Sequence, residues 1–369
     1  MLGCLQCASA LQCANGANAG FPGHASVDGE WVVGREQLPR YSQSTCPMLQ
    51  SFEHTHDLNA ADVEYEFKTA GCELPAWDLA TVSKFLTSMA GKTLLFAGDS
   101  ITGNWWVSFV CMLHQLVPSV EHDQDMHSGT VFDAHARFLG PDGESSTRIG
   151  FWRLSGYFRR DVHALSRCIH GHGRMLKVWG VPQDGILNAS TAVRVKPDVL
   201  IVNQGVWYNN EPTEAAALRK GFHEAISVPL MQRNTTQPVL IWRETAPQRF
   251  NTPGGLFHTF QKVDRWRNVS CELRPVAELH RHNWRNTALK PEFATLGRRI
   301  RTLPIFDLSA RYPKVDQPKA KDCTHFALPG LPDTWSHLPS SPLYYSTHAG
   351  RRDPSHTLFS NWAQLSVRI

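Results

Sequence analysis

Three absences narrow the reading of this 369-residue chain before any motif is considered. No run approaches the roughly 20 consecutive apolar residues that span a bilayer, so no transmembrane segment is visible. No single sign of charge dominates: the net charge is +4, and the basic residues are scattered. They are densest at Arg159-Arg160 and from Arg298 to Arg301, without interleaved aromatics. A nucleic-acid groove would combine the two, so nucleic acid is excluded as a partner and only a weak attraction to an acidic surface or glycan is left. Cysteine never falls in the paired spacing of a zinc site, because Cys4-x-x-Cys7 has no downstream pair. Internal repeats and low-complexity tracts are missing as well.

What is present describes a globular chain: 42% hydrophobic and 19% charged residues, with 23 prolines and 26 glycines that imply much loop. Its length suits one large core, or a core with a smaller appended region. Residues 1–27 read as an irregular leader or linker. The first 23 carry no charged side chain, and they lack the basic start and strong apolar middle of a signal peptide. Three sequons, Asn188-Ala-Ser, Asn234-Thr-Thr and Asn268-Val-Ser, nevertheless favour the secretory route. Cys46, Cys72, Cys111, Cys271 and Cys323 lie far apart, which suits long-range disulfides or buried thiols.

Residues 28–90 read as loop-rich. From Lys92 the pattern changes. Thr93-Leu-Leu-Phe-Ala97 is a buried strand stopped at Gly98-Asp99, and Asn104 to Leu116 is apolar and of helical length. Asp198-Val-Leu-Ile-Val202 and Pro238-Val-Leu-Ile-Trp242 repeat the strand pattern, and Leu303-Pro-Ile-Phe306 is a fourth candidate. Thr213 to Ile226 and Phe293 to Arg301 read as helices. Alternating strands and helices predict a three-layer α/β/α fold around a central parallel sheet. Ligands of such sheets sit beyond the carboxyl ends of the strands.

Ser100 lies at that place, in Gly98-Asp99-Ser100 between the first strand and its helix. A serine there stands on a tight turn, where N–H groups at a helix start can meet an oxyanion; the same position also suits a plain helix N-cap. Near the C-terminus, Asp322-Cys323-Thr324-His325 offers a base and an orienting carboxylate on one loop. Together they form a candidate serine-nucleophile triad, Ser100, His325 and Asp322, in the chain order of SGNH/GDSL-type hydrolases.

Further motifs carry a resemblance to a narrower family. Asp28-Gly-Glu-Trp-Val32, Thr45-Cys46-Pro47, Cys72-Glu-Leu-Pro75 and Gly91-Lys92 through Ser100, Asn104 and Cys111 follow its pattern. So do Asn203-Gln-Gly-Val-Trp207, Arg243-Glu-Thr-Ala-Pro247 and the long Asp322-Cys-Thr-His-Phe-Ala-Leu-Pro-Gly-Leu-Pro-Asp-Thr-Trp335. The chain resembles the plant trichome-birefringence-like proteins, and more broadly the PC-esterase group of the SGNH superfamily, over roughly residues 28–340. The resemblance implies a catalytic domain over 91–345, a loop-rich N-terminal subregion packed on it, and a tail over 346–369. It implies bridges Cys46–Cys111 and Cys271–Cys323, with Cys72 paired upstream to a residue such as Cys13. Two departures stand out: Gly103 occupies the place of a family arginine, and Ala327 that of a family cysteine.

Chemistry and resemblance together lead to a polysaccharide O-acetyltransferase that passes an acetyl group through Ser100. A carbohydrate esterase of the same fold, and an idle glycan-binding protein, are the alternatives. The oxyanion is expected at the Ser100 N–H and an asparagine amide, Asn203 first and Asn104 second. Arg243, Trp207 and Trp335 are candidate substrate contacts. The acetyl donor is a co-substrate, and no cofactor is expected. The histidine pairs His54/His56, His170/His172 and His280/His282 lack a third ligand, so no metal site is expected. The Golgi lumen, where family members usually sit behind an anchor, is the expected location, with secretion as the alternative.

Overall fold

The computed structural model describes residues 29–34, 41–46, 48–49, 65–69, 76–117, 120–122, 131–140, 143–154, 158–170, 174–179, 190–209, 211–232, 238–257, 269–315 and 321–340. The leader, the C-terminal tail, the three sequon asparagines, Cys72 with its upstream partner, and His54, His56 and His172 lie outside them.

Strands β1 (Gly29–Val33) and β2 (Tyr65–Thr69) form an antiparallel pair. Helix α1 (Leu79–Ser88) follows, capped by the Asp78 carboxylate on Thr81 N–H. Strand β3 (Thr93–Gly98) then runs into helix α2 (Ser100–Leu116). The helix starts four residues before the apolar stretch suggests, because Asp99 caps it from an extended backbone and accepts from the N–H groups of Ile101 and Thr102.

Strands β4 (Val120–His122), β5 (Val131–Gly140) and β6 (Gly143–Arg153) lead to helix α3 (Phe158–Ile169). A hairpin of β7 (Arg174–Trp179) and β8 (Ser190–Val195) precedes β9 (Val199–Asn203). Helix α4 (Glu211–Phe222) continues through a π-helical turn at His223–Ser227 into a last helical segment, Val228–Gln232. Pro229 explains that turn, since its ring cannot sit against the carbonyl four residues back, and the Val228 N–H instead reaches His223 O. Strand β10 (Val239–Arg243), helices α5 (Val276–Arg281), α6 (Trp284–Thr287) and α7 (Lys290–Leu296), strand β11 (Arg301–Leu303), and helices α8 (Phe306–Ala310) and α9 (Leu331–Ser340) complete the order.

The main sheet has seven strands in the order β11-β10-β9-β3-β6-β5-β4. From β11 to β6 every pairing is parallel, and β5 and β4 extend the far edge antiparallel. The expected parallel α/β/α core is therefore there, widened by an antiparallel edge. Leu303 does lie in a strand, but Phe306 opens α8 instead of ending that strand. Alternation along the strands separates two cores. Leu94, Phe96, Ile149, Phe151, Ile201 and Ile241 face the layer of α1, α2 and α9. Leu95, Ala97, Trp152, Leu200, Val202 and Trp242 face α3, α4 and α7. Fully buried alternation of this kind is what a covered parallel sheet requires.

The N-terminal pair is stitched to the sheet domain. Trp31 Nε1 donates to Leu308 O at 3.0 Å, and Tyr41 OH donates to the Asp333 carboxylate, which also accepts from Ser108 Oγ. The disulfide Cys46–Cys111 ties the same region to α2.

Candidate active site

Register brings the site together at the carboxyl edge of the sheet. Gly98, at the end of β3, pairs with Asn203 of β9 on one side and Arg153 of β6 on the other. A Cβ on Gly98 would lie 2.2 Å from Thr102 Oγ1 and 2.6 Å from Asn203 O, so only glycine lets the chain turn here from strand to helix. The next residue but one, Ser100, opens α2.

The second half of the site is the loop 321–327. His325 Nε2 lies 2.7 Å from Ser100 Oγ, and His325 Nδ1 lies 2.9 and 3.0 Å from the two Asp322 oxygens. With Nδ1–H donating to the carboxylate, Nε2 is left as the acceptor for the serine hydroxyl. Asp322 Oδ1 also accepts from the N–H groups of Thr324 and His325. Burial pushes the Asp322 carboxyl up, but its bonds to His325 and to those two N–H groups outweigh burial and hold it near about 2. Both side chains keep an opening to solvent, 22% for Asp322 and 18% for His325. Three residues 225 apart at the extremes thus form one unbroken hydrogen-bonded relay.

Four contacts pin that loop. Cys323 is bridged to Cys271, as the resemblance implied, and its carbonyl accepts from Arg249 N–H at 2.9 Å. Thr324 Oγ1 accepts from Gln248 Nε2 at 2.9 Å, and Phe326 N–H donates to Asn104 Oδ1 at 3.0 Å. Gln248 lies outside the motifs, and Thr324 lies within one without a role assigned by it; their contact emerges only once the loop after β10 lies beside the loop of His325.

The remaining expected site residues fall in distinct places. Asn203 is fully buried, and its amide donates to Arg243 O at 2.7 Å and Thr245 Oγ1 at 3.1 Å. Asn104, also fully buried, holds the loop through Oδ1, while its Nδ2 has no acceptor among the described residues. Arg243 and Trp335, read as substrate contacts, lie instead inside the core with no exposed surface, the guanidinium 5.6 Å over the indole ring. Arg243 donates to Thr102 Oγ1 and Glu244 O and lies 3.5 Å from Asp99. Burial lowers its guanidinium to about 10 against the pull of Asp99. The physical reason for their position is that both sit where the sheet meets α2 and α9, sealed by Trp105 and Phe326. Trp207 is the exposed member of the three, with 42% of its surface open in the loop after β9.

Asp99 is a site residue that motif reading passes over. Its Oδ1 caps α2, and its Oδ2 accepts from Gly205 and Val206 N–H in the loop that carries Trp207. The missed signal is an acidic residue directly before a helix start. Gly103 faces Phe151, whose ring would lie 2.9 Å from an added Cβ, so a side chain at this place would require the ring to shift. Elsewhere, His280 bonds Asp307 at 2.9 Å on the outside of α5.

The chain is similar to known proteins of one family. The family described as PC-Esterase, GDSL/SGNH-like acyl-esterase found in Pmr5 and Cas1p, matches residues 74–237. Protein trichome birefringence-like 42 of Arabidopsis thaliana is 35% identical over 105 residues, a match that takes in 27% of this chain and 28% of that protein. Xylan O-acetyltransferase 14 of Oryza sativa subsp. japonica is 23% identical, with 84% of this chain and 75% of that protein covered. Protein trichome birefringence-like 43 of Arabidopsis thaliana is 21% identical, with 90% and 92% covered.

Proposed function

The chain belongs to the PC-esterase family and its trichome-birefringence-like branch, and from that premise we propose that it is a polysaccharide O-acetyltransferase acting through an acetyl-Ser100 intermediate. The observation that carries this reading is the relay from Ser100 Oγ through His325 to Asp322, at 2.7 and 2.9 Å.

In the first step Ser100 Oγ attacks the carbonyl carbon of an acetyl donor while His325 Nε2 takes its proton. The tetrahedral intermediate collapses, the donor's leaving group departs with the proton from His325, and the acetyl ester remains on Ser100. A sugar hydroxyl then gives its proton to His325 and attacks the ester carbon, and Ser100 Oγ leaves and regains a proton. Asp322 holds the imidazole tautomer and balances the imidazolium charge. No step is routed through a cofactor.

The oxyanion is placed at the Ser100 N–H, joined by Asn203. Asn203 would exchange its 3.1 Å bond to Thr245 Oγ1, the longer of its two, for one to the developing charge. Asn104 serves mainly to anchor Phe326. Trp207, exposed beside the site, is proposed as a stacking surface for a sugar ring. The similarity to xylan O-acetyltransferase 14 of Oryza sativa makes xylan the first acceptor to test. The bridges Cys46–Cys111 and Cys271–Cys323 suit an oxidising compartment. Golgi lumen, or secretion, is the location we propose.

The test supplies an activated acetyl ester with and without xylan and other cell-wall polysaccharides, and measures acetylated glycan and free acetate together. A transferase puts acetyl on glycan, and the Ser100→Ala variant does not. Free acetate alone, indifferent to every acceptor, would replace this reading with an esterase, since water meets the same intermediate. Unchanged glycan binding with no turnover in the wild type would favour the idle binding protein.

A further inference from the structure

Arg285 of α6 is 4% exposed, yet all of its hydrogen bonds go to uncharged oxygens. Nε donates to Tyr208 O at 2.6 Å, and Nη2 donates to Asn209 Oδ1 at 3.2 Å and Gln248 Oε1 at 3.0 Å. Burial lowers this guanidinium to about 10, while Asp99 and Glu214 act only as more distant charges. The Trp284 ring lies 5.5 Å from the guanidinium, and a buried cation held by a ring and neutral oxygens is costly beside a well-packed apolar residue. What the charge does is read from what the three oxygens belong to.

They belong to the two segments that flank the nucleophile. Tyr208 and Asn209 end the loop after β9, whose Gly205 and Val206 N–H groups grip Asp99, the residue before Ser100. Gln248 reaches the other side: its Nε2 donates to Thr324 Oγ1, and the Thr324 N–H donates to Asp322 Oδ1 at 3.2 Å. Glutamine fits this place because its amide accepts from a guanidinium and donates to a hydroxyl at once.

We propose that Arg285 is a positioning residue of the triad. Its guanidinium holds the 204–209 loop and, through Gln248 and Thr324, the 321–327 loop, at the separation that leaves His325 Nε2 2.7 Å from Ser100 Oγ. The inference rests on the acyl-transfer reading above. A shift of about 1 Å between reacting groups costs on the order of 100-fold in rate, so a strut with no contact to substrate can control turnover.

The experiment compares Arg285→Ala, Gln248→Met, Thr324→Val and the Gln248→Met/Thr324→Val double variant with the wild type. It reads the rate of Ser100 acetylation by an activated acetyl ester, KM, thermal stability, and the downfield proton resonance of His325 Nδ1–H bonded to Asp322. Gln248→Met and Thr324→Val each lower kcat roughly 10–100-fold with KM within about twofold. The double variant falls no further than its worse parent, because both break one link. Added methylguanidinium restores part of the activity of Arg285→Ala. The His325 resonance shifts or broadens in every variant. Wild-type kcat in both single variants, losses that multiply in the double, or an unmoved resonance would overturn the proposal. Thr324→Val removes one hydroxyl from a half-buried side chain, so the cycle stands even if Arg285→Ala fails to fold. Should the wild type never form acetyl-Ser100, the acyl-transfer reading fails, and the resonance still decides the strut.

Discussion

Asp99 shows how much one carboxylate can organise beside the serine proposed as nucleophile. It receives four backbone N–H groups, from Ile101, Thr102, Gly205 and Val206, and faces the buried Arg243. Breaking a buried ion pair by removing one partner costs about 3–5 kcal/mol. The four remaining N–H bonds put Arg243→Met near the lower end, about 3 kcal/mol, measurable by urea unfolding. Unchanged stability would mean that Asp99 is fully solvated by the backbone alone. At Asp322 the sign of the pH effect follows from a carboxyl held down to about 2, against about 3.9 in an unfolded chain. The stability it adds is complete above about pH 4 and is lost as pH falls towards 2. Any acid limb in the pH–rate profile above pH 4 therefore belongs to another group, and Asp322→Asn, with the wrong tautomer favoured, lowers kcat by about 10⁴-fold in steady-state assays. The candidate triad of Ser100, Asp322 and His325, which the fold brings within hydrogen-bonding distance, was legible in the sequence because its members sit in spaced motifs. Asp99, Gln248 and Arg285 were not, since a cap or a strut depends on which loops the fold sets side by side.

At the level of elements, the strands that were legible are those buried on both faces, β3, β9 and β10, whose apolar runs need no partner to be recognised. Strands β5 and β6 mix charged and polar residues, and their pairing is an antiparallel hairpin on the sheet's far edge, so no continuous apolar run betrayed them. The sequence Gly140-Pro-Asp-Gly143 between them, rich in turn-forming residues, is the signal that could have. Helix α2 packs so closely on β6 that Gly103 meets the Phe151 ring. Restoring a side chain there by Gly103→Ala destabilises the protein by about 1–3 kcal/mol, and Phe151→Leu in the same chain relieves it. A stable Gly103→Ala alone would show that the ring yields freely. The loop 321–327 depends on its bridge. Removing Cys271–Cys323 costs about 2–4 kcal/mol and lowers kcat as well, whereas removing Cys46–Cys111, away from the triad, lowers stability with little change in kcat. Equal effects on kcat from the two bridges would contradict a positioning role for the first.

The described residues centre on a sheet with two helical layers, and its carboxyl edge gathers residues spread from 100 to 325: Ser100 after β3, Trp207 after β9, Gln248 after β10, and Asp322 and His325 before α9. Arg243 and Trp335, which looked like substrate contacts by motif, support that edge from below. This division follows from burial, which a motif does not report: the same 322–335 stretch carries His325 at the surface and Trp335 in the core. Transferase and esterase share every group named so far and differ in how well the acceptor groove keeps water from the acyl-enzyme. The most direct test of the account is a rapid-mixing mass measurement of the protein with an activated acetyl ester, followed by peptide mapping and a chase with xylan. The account predicts one acetyl group, on the peptide containing Ser100, that moves to glycan when the acceptor arrives and is never formed in Ser100→Ala. Glycan acetylated at the wild-type rate by Ser100→Ala would contradict it.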